Sequence, residues 1–529
     1  GPEDDNAVRA VRSCDPSGPF VCYVSRLLPV EGEEGEEDAG EGTPGKAYGL
    51  GRLFSGALKS GQTVKVKSSS FKAQDHVHYC QEVESIALSM GDSMKSLPQT
   101  FLVPPGNLVA IAGPGLHRQI LKAATLTDRS IDLAMAAPRM MPQCCRVSLH
   151  PSADPRALPA LLERLRNLSR YDPTARGSAE EWGEHILVGC GPIHLEACLR
   201  TVENDVGENL FTRSCPGGRP CGREGGFGAV FRETVRAASS EVARFQCEGS
   251  DLSFEATAQP LCSKLMSALE TGTLEQLGVE ERARILSDQF GWGPTEGLRL
   301  WCFGPEECGM NAVIDSTQYP PPADDNLHLR LLPKRSASKA SQSKAGGHNS
   351  TFALDSYATS VVAAVQWATK EGGFCEEEVQ GVRFSLKGRP VVLGEIQRGG
   401  GGRVISSVRR SLLKAELNAD PGLLEAIFWL EIRSNKSQIS GDLRAALSAA
   451  AVAAPGRGDL LEEESITSDE MVLRTELPLV ELLQLQEQLD LCGVSAEAAF
   501  SRWSNIPRAG DAAHVFCSSN NNNSSKSSN

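Results

Sequence analysis

The chain has 529 residues, 40% of them apolar and only 5% aromatic, with a formal net charge of −14. At roughly 100–200 residues per domain, that length exceeds one core and implies several domains. No run of about 20 apolar residues is present, so a transmembrane helix is excluded, and no signal peptide follows the opening glycine, so the chain reads as a fragment or processed piece.

Residues 1–19 read as a linker, and 20–138 as an all-β barrel. "FVCYVSRLL", "AYGLGRLFSG", "QTVKVKS", "NLVAIAG" and "KAATLT" are strand-like and lie between turns such as "KSGQ" and "VPPGN". "EGEEGEEDAGE" (Glu31 to Glu41) holds seven acids and no base, half the magnitude of the net charge, and reads as a solvated loop. Without that run the rest is only mildly acidic, so an anionic partner is compatible with the charge. The period changes over 139–225. "CRVSL" alternates like a strand, and Asp154 with Pro155 then opens a helix whose stripe is Leu158, Leu161, Leu162, Leu165 and Leu168. Asp172 and Pro173 stop it, the strand "HILVGC" follows, and "PIHLEACLRTV" is a second helix, giving a small α/β plait.

Residues 226–422 form a longer mixed α+β region. "PKRSASKASQSKAGGHNS" is basic, Ser-rich and without apolar periodicity, and marks a disordered insertion over about 320–350. The next helix carries Leu354, Ala358, Val361, Val365 and Ala368 on one face, with Asp355 or Ser356 as cap and Gly372 as end. Residues 423–508 repeat the plait pattern as "EAIFWLEI", "DLRAALSAAAVAA", "EMVLRTELP" and "LVELLQLQEQLDL", and 509–529 are a low-complexity tail.

Several chemical motifs fail on inspection. "GEGTPGK" (Gly40 to Lys46) follows an acidic run, lacks the preceding buried strand, and has Ala47 where a phosphate loop needs Ser or Thr for Mg²⁺. "REGGFGAV" (Arg223 to Val230) has arginine for the first glycine of a kinase loop. His76, His78 and Cys80 have ligand chemistry but no fourth partner nearby, and their alternation fits strand faces. None of the sixteen cysteines forms a CxxC pair, which fits a reducing cytosolic or nuclear compartment. His185 and His194 are the nearest thing to a catalytic pair, one on a strand and one on a helix, and read as packing residues. No catalytic residue, metal site or cofactor site is expected within the chain.

Collinear stretches from about residue 2 to residue 508 resemble the eukaryotic and archaeal elongation factor 2 family. They are "SCDPSGPFVCYVSRLLP" with "YGLGRLFSG", then "GEHILVGCGPIHLEACL", then "LWCFGPEECGMNAV", "VVAAVQWATKEGGFCEEEVQGVRF" and "IQRGGGGRVISSVRR", and last "LLEAIFWLEI". The resemblance implies a domain II-like β-barrel, a domain III-like ferredoxin-like plait, an α+β domain IV and a domain V-like ferredoxin-like plait. It implies a cytoplasmic, monomeric protein that binds the ribosome and moves tRNA and mRNA at the decoding centre. GTP and Mg²⁺ would enter only through a GTPase domain preceding Gly1; this chain lacks its motifs, and "NKSQ" (Asn435 to Gln438) lacks the aspartate of a guanine-recognition sequence. Whether the protein is an enzyme therefore depends on that domain. The alternative is a relative acting in ribosome assembly or in a ribonucleoprotein, as a factor-like or spliceosomal GTPase relative would.

The family's fourth-domain tip is a His-Arg-Gly-Gly-Gly loop whose histidine is converted to diphthamide. Gln397 stands at that position and has no imidazole to modify, and Gly402 replaces the usual glutamine after the glycines. Trp182, Pro192 and "CGMNAV" are further departures. The expected RNA-contact tip is Gln397, Arg398, Gly399, Gly400, Gly401, Gly402 and Arg403, continued by Arg409 and Arg410. Between Gly394 and Lys414 there are five bases and one acid, Glu395. Glycine lets a backbone approach phosphate, and arginine offers paired donors to it. Ser406 or Ser407 is the expected cap of the helix that follows. The plainer reading is a flexible loop with a solvated helix.

Overall fold

A computed structural model describes residues 2–29, 47–68, 79–90, 94–120, 123–206 (apart from 129, 132, 134, 136–140, 153, 155 and 180–183), 211–214, 226–247, 253–316 (apart from 273, 275–276, 294–295 and 306–308), 358–389, 401–435, 462–465, 470–485 (apart from 484) and 495–506. The acidic run, Gly40 to Lys46, His76, His78, Trp182, the Ser-rich stretch, "NKSQ" beyond Asn435 and the tail lie outside these residues. The protein is multidomain α+β, mostly β, and its contacts divide it into two compact units, one essentially residues 1–229 and the other essentially 230–529.

The first unit opens with helix α1 (Pro2–Ser13). Eight strands follow: β1 (Val21–Pro29), β2 (Ala47–Ser55), β3 (Thr63–Ser68), β4 (Tyr79–Glu82), β5 (Ser85–Ser89), β6 (Met94–Ser96), β7 (Leu108–Ala112) and, after the short helix α2 (Leu116–Gln119), β8 (Ala124–Thr127). They form one sheet in the order β4-β3-β8-β1-β2-β7-β5-β6, every pairing antiparallel. β4 and β6 stay as edges, so the expected barrel is a curled half-barrel here. Its concave core is Cys22, Val24, Leu53, Val64, Ile111 and Leu126, all fully buried. Alternation along β2 makes this face legible, since every second residue from Ala47 to Ser55 is buried.

The second sheet of this unit is built from β9 (Cys145–Pro151), β10 (Arg176–Ala179), β11 (His185–Gly189) and β12 (Phe211–Ser214), with β13 (Gly228–Ala229) also on β9. Helix α3 (Ala157–Tyr171) joins β9 to β10, and α4 (Pro192–Val206) joins β11 to β12. The order β10-β11-β9-β12 is antiparallel throughout. Helix α3 begins two residues later than its cap suggested. Asp154 does not cap the helix; its carboxylate accepts the N–H of Arg156 at 2.9 Å, an Asx turn that leads into the helix. Leu161, Leu165 and Leu168 of the predicted stripe are buried, and Leu158 is exposed.

The second unit holds two more sheets. One runs β15 (Ala243–Gln246), β16 (Ser253–Pro260), β20 (Val382–Arg389), β18 (Asn311–Asp315), β17 (Leu300–Gly304). Helices α7 (Ala358–Lys370) and α8 (Gly401–Leu417) share one core with it, including Phe254, Val313, Val365 and Leu412. Helices α5 (Ser263–Glu270) and α6 (Val279–Phe290), which the sequence reading does not resolve, share another that includes Leu265, Leu286, Phe303 and Ile314. The other sheet centres on the 15-residue strand β21 (Pro421–Asn435). It pairs with β24 (Ser495–Asn505) on one edge. Its other edge pairs first with β14 (Phe231–Val235) and then with β23 (Glu470–Pro478), which carries β22 (Glu462–Ser465). A two-residue strand, β19 (Glu378–Val379), extends β14. The sheet that begins at Pro421 thus includes a strand from the segment read as domain IV.

Candidate nucleic-acid interface

Helix α8 is held by Val404, Val408, Leu412 and Ala415, each no more than 2% exposed. Their 4-4-3 spacing is one helical face. Each large apolar side chain so buried contributes about 1.5–3 kcal/mol relative to exposure. This offsets the cost of starting a helix on Gly401 and Gly402, about 1 kcal/mol for each glycine relative to alanine. The opposite face exposes Arg403, Ser406, Arg410 and Lys414. At 1.5 Å per residue, Arg403 and Lys414 lie about 16 Å apart along the axis. Arg403 shares its end of the helix with the first-turn N–H groups, which lack intrahelical acceptors and carry the positive end of the helix dipole.

Of the expected tip, Gln397, Arg398, Gly399 and Gly400 lie outside the described residues. Gly401, Gly402 and Arg403 are not loop residues; they form the first turn of α8. The serine caps are also corrected, because the helix has already run a full turn before reaching them. Ser407 is buried on the core side, and its carbonyl accepts the Ser411 hydroxyl at 2.8 Å.

Arg409 is held against α7. Its guanidinium carbon lies 4.2 Å from the centre of the Trp367 ring. One of its nitrogens meets Glu371 Oε2 at 3.2 Å, and that oxygen also accepts the Trp367 indole N–H at 2.7 Å. The cationic face is therefore Arg403, Arg410 and Lys414, with Arg409 turned inward as a tie between two helices. Arginine composition signals the positive charge; the partition needs the 3.6-residue period, which puts Arg409 and Arg410 on different faces.

A second cluster lies in the first unit. Helix α3 ends at Tyr171 with Asp172 as its C-cap, and α4 begins beside it with His194 in its first turn. Asp172 Oδ2 lies 3.0 Å from His194 Nε2, and its Oδ1 accepts both the N–H and the hydroxyl of Thr174, at 2.8 and 2.6 Å. Cys198, one turn along α4, has its sulfur 3.4 Å from the same Nε2. The other ring nitrogen, Nδ1, accepts the main-chain N–H of Cys190 at 3.1 Å.

This arrangement assigns the proton to Nε2. A metal-binding histidine offers one bare nitrogen to the ion and donates from the other. Here Nδ1 faces a donor, so Nε2 must keep its hydrogen for Asp172, and the Asp-His-Cys group is a poor metal cage. Nor is it a catalytic triad, in which the acid and the nucleophile meet different ring nitrogens. Burial alone would raise the Asp172 pKa, but the hydrogen bonds from His194 and Thr174 outweigh it and hold the carboxyl well below its ordinary range. The Asp172 bond first, and then the thiols of Cys190 and Cys198, push the His194 pKa up. The Cys190 N–H works against that, since an imidazolium would set two donors face to face.

His194 is thus partnered by Asp172 and not by His185, which is paired on β11 opposite Leu149 with its Nδ1 buried and unbonded. Cys80 is an exposed free thiol. Among the described residues, no helix is long and apolar enough to cross a membrane. No protein-family model matches the chain.

Proposed function

We propose that this chain is an elongation factor 2-like protein that binds the ribosome and assists movement of tRNA and mRNA. The half-barrel, the strand-helix-strand-strand-helix-strand unit and the mixed second unit are compatible with the family's domain II, a ferredoxin-like domain III and its later domains. They support that reading together with the collinear sequence stretches. The observation that carries it is the exposed line of Arg403, Arg410 and Lys414 on a helix whose other face is locked into a core. Such a line presents cations to a phosphate backbone from a rigid base. On this reading α8 continues the Gln397–Gly400 segment as the RNA-facing end, Gln397 carries no diphthamide, and any GTP and Mg²⁺ would be held by a domain outside this sequence.

Ribosome binding by the chain and by the Arg403→Ala, Arg410→Ala, Lys414→Ala triple variant, measured across a salt titration, tests the reading. The variant should bind more weakly. Its plot of log affinity against log salt should be shallower by about 2 to 3, from 0.7–0.9 per lost phosphate contact. Superimposable titrations would sink the RNA-contact role of α8.

A further inference from the structure

We propose that Glu233 and Glu416 share one proton in a buried acid–carboxylate lock, and that losing this proton releases the loop of residues 371–377 from α8. The proposal stands on the geometry of the second unit and does not depend on the ribosomal reading. Both side chains are fully buried. Glu233, on β14, accepts three main-chain N–H groups from one loop: Phe374 at 2.8 Å, Cys375 at 2.7 Å and Glu377 at 2.9 Å. Gly372 in that loop approaches so closely that a Cβ there would overlap the Glu233 carboxylate. Glu416, on the last turns of α8, hydrogen-bonds Glu233 and accepts one amide, Gly373, at 3.2 Å through Oε2. Its Oε1 is buried with no donor directed at it.

Two carboxylates in hydrogen-bond contact and out of water cannot both stay ionised. Three amides favour charge on Glu233. Glu416, with one amide and a vacant oxygen, is the member that keeps the hydrogen and donates it to Glu233. Among the described residues, the surroundings supply no counter-charge. On β14, Arg232 turns to Glu378 and Trp503. From the loop come Cys375, Glu376, Glu377 and, at its start, Glu371, which holds Arg409. On α7 and α8, Lys370 and Lys414 are exposed. From β21 and its entry, Glu425 and Asp420 add only acids. Neither carboxyl forms an ion pair among the described residues. Burial first, and then the two glutamates, push the Cys375 thiol up to about 11, so it stays neutral alongside them. Burial is likewise the first cause raising both glutamate pKa values, with the mutual repulsion adding to it at Glu416.

The sign follows from linkage. A carboxyl whose folded pKa is raised binds its proton more tightly folded than unfolded. The stabilisation from the Glu416 proton is fully present below the ordinary glutamate range and is lost as pH rises through the raised folded value. Amide exchange of Phe374, Cys375 and Glu377, expressed as protection factors from about pH 5 to about pH 9, reads this locally in the full chain. Relative to Glu416→Gln, whose amide donates to Glu233 at every pH, the wild-type protection should fall by up to about tenfold per pH unit. Glu233→Gln should lose protection at every pH, because Phe374 meets one carboxylate oxygen and Cys375 and Glu377 the other, so the amide NH₂ would face at least one N–H donor whichever way it turned. Parallel wild-type and Glu416→Gln profiles, or equal tolerance of both variants, would overturn the proposal. Infrared spectroscopy of the wild-type chain checks it without a variant: a protonated, buried carboxylic acid carbonyl band should persist at neutral pH, and its absence would also overturn it.

Discussion

At position 172 one aspartate closes α3, opens the turn toward β10 and holds the first turns of α4 through His194. Asp172→Asn should destabilise the first unit by about 2 kcal/mol, the scale of a hydrogen bond to a charged group, as read by chemical denaturation. Because the folded pKa of Asp172 is lowered, its contribution is present above the ordinary aspartate range. It is lost as pH falls through the lowered value. The wild-type and Asp172→Asn curves should therefore converge in acid. Added Zn²⁺ should leave the melting temperature of the wild type unchanged, since Nδ1 accepts a main-chain N–H; a metal-dependent rise would mean that the ring turns to ligate an ion. The stop at Asp172 is legible as an Asp-Pro pair after a leucine stripe. Its partner is not: His185 and His194 stand nine apart in sequence, but the strand points one away while the helix end carries the other to a residue 22 positions earlier.

Helix α8 shows what periodicity gives and what it leaves out. Val404, Val408, Leu412 and Ala415 are a readable stripe, yet glycines and nearby serines suggested a later start. Burial of that stripe outweighs glycine's poor propensity, so the helix reaches back to Gly401. The same geometry separates two adjacent arginines. Arg409→Ala should loosen α7 from α8 by about 1–2 kcal/mol, the scale of a cation–π contact joined by a partly exposed ion pair. On the proposed RNA-contact reading, it should leave the salt dependence of ribosome binding nearly unchanged at temperatures where the protein stays folded. Arg410→Ala should instead make that salt slope shallower, by about 0.7–0.9 for one lost phosphate contact. Measuring melting temperature and salt slope for both single variants separates the roles; identical effects would mean that the two side chains form one surface. Trp367 and Glu371, which fix Arg409, carry no sequence signal of this role, because their partner lies about 40 residues away across the intervening strands.

At the scale of the whole molecule, the long pairings are the least visible in the sequence. The period of each strand predicts that it is a strand but not its neighbour, and β14 meets β21 across nearly 190 residues. A division at 423 follows from the renewed strand–helix pattern, whereas the backbone pairing joins the two sides of it. The consequence is specific. In a fragment covering residues 230–422, β14 would lose the edge of β21 that covers it, beginning with Glu425 opposite Phe231 and Leu423 opposite Glu233. Phe231, fully buried in the chain, would be uncovered, and an unpaired edge beside it would favour aggregation. The sheet carrying α7 and α8 has its own core and should persist. Fragments 230–422 and 230–506 compared by amide exchange should differ most at Phe231–Val235 and the 371–377 loop, with the shorter one unprotected there and more prone to associate. Equal protection in both would show that this region folds without β21 and that 423 is a true boundary.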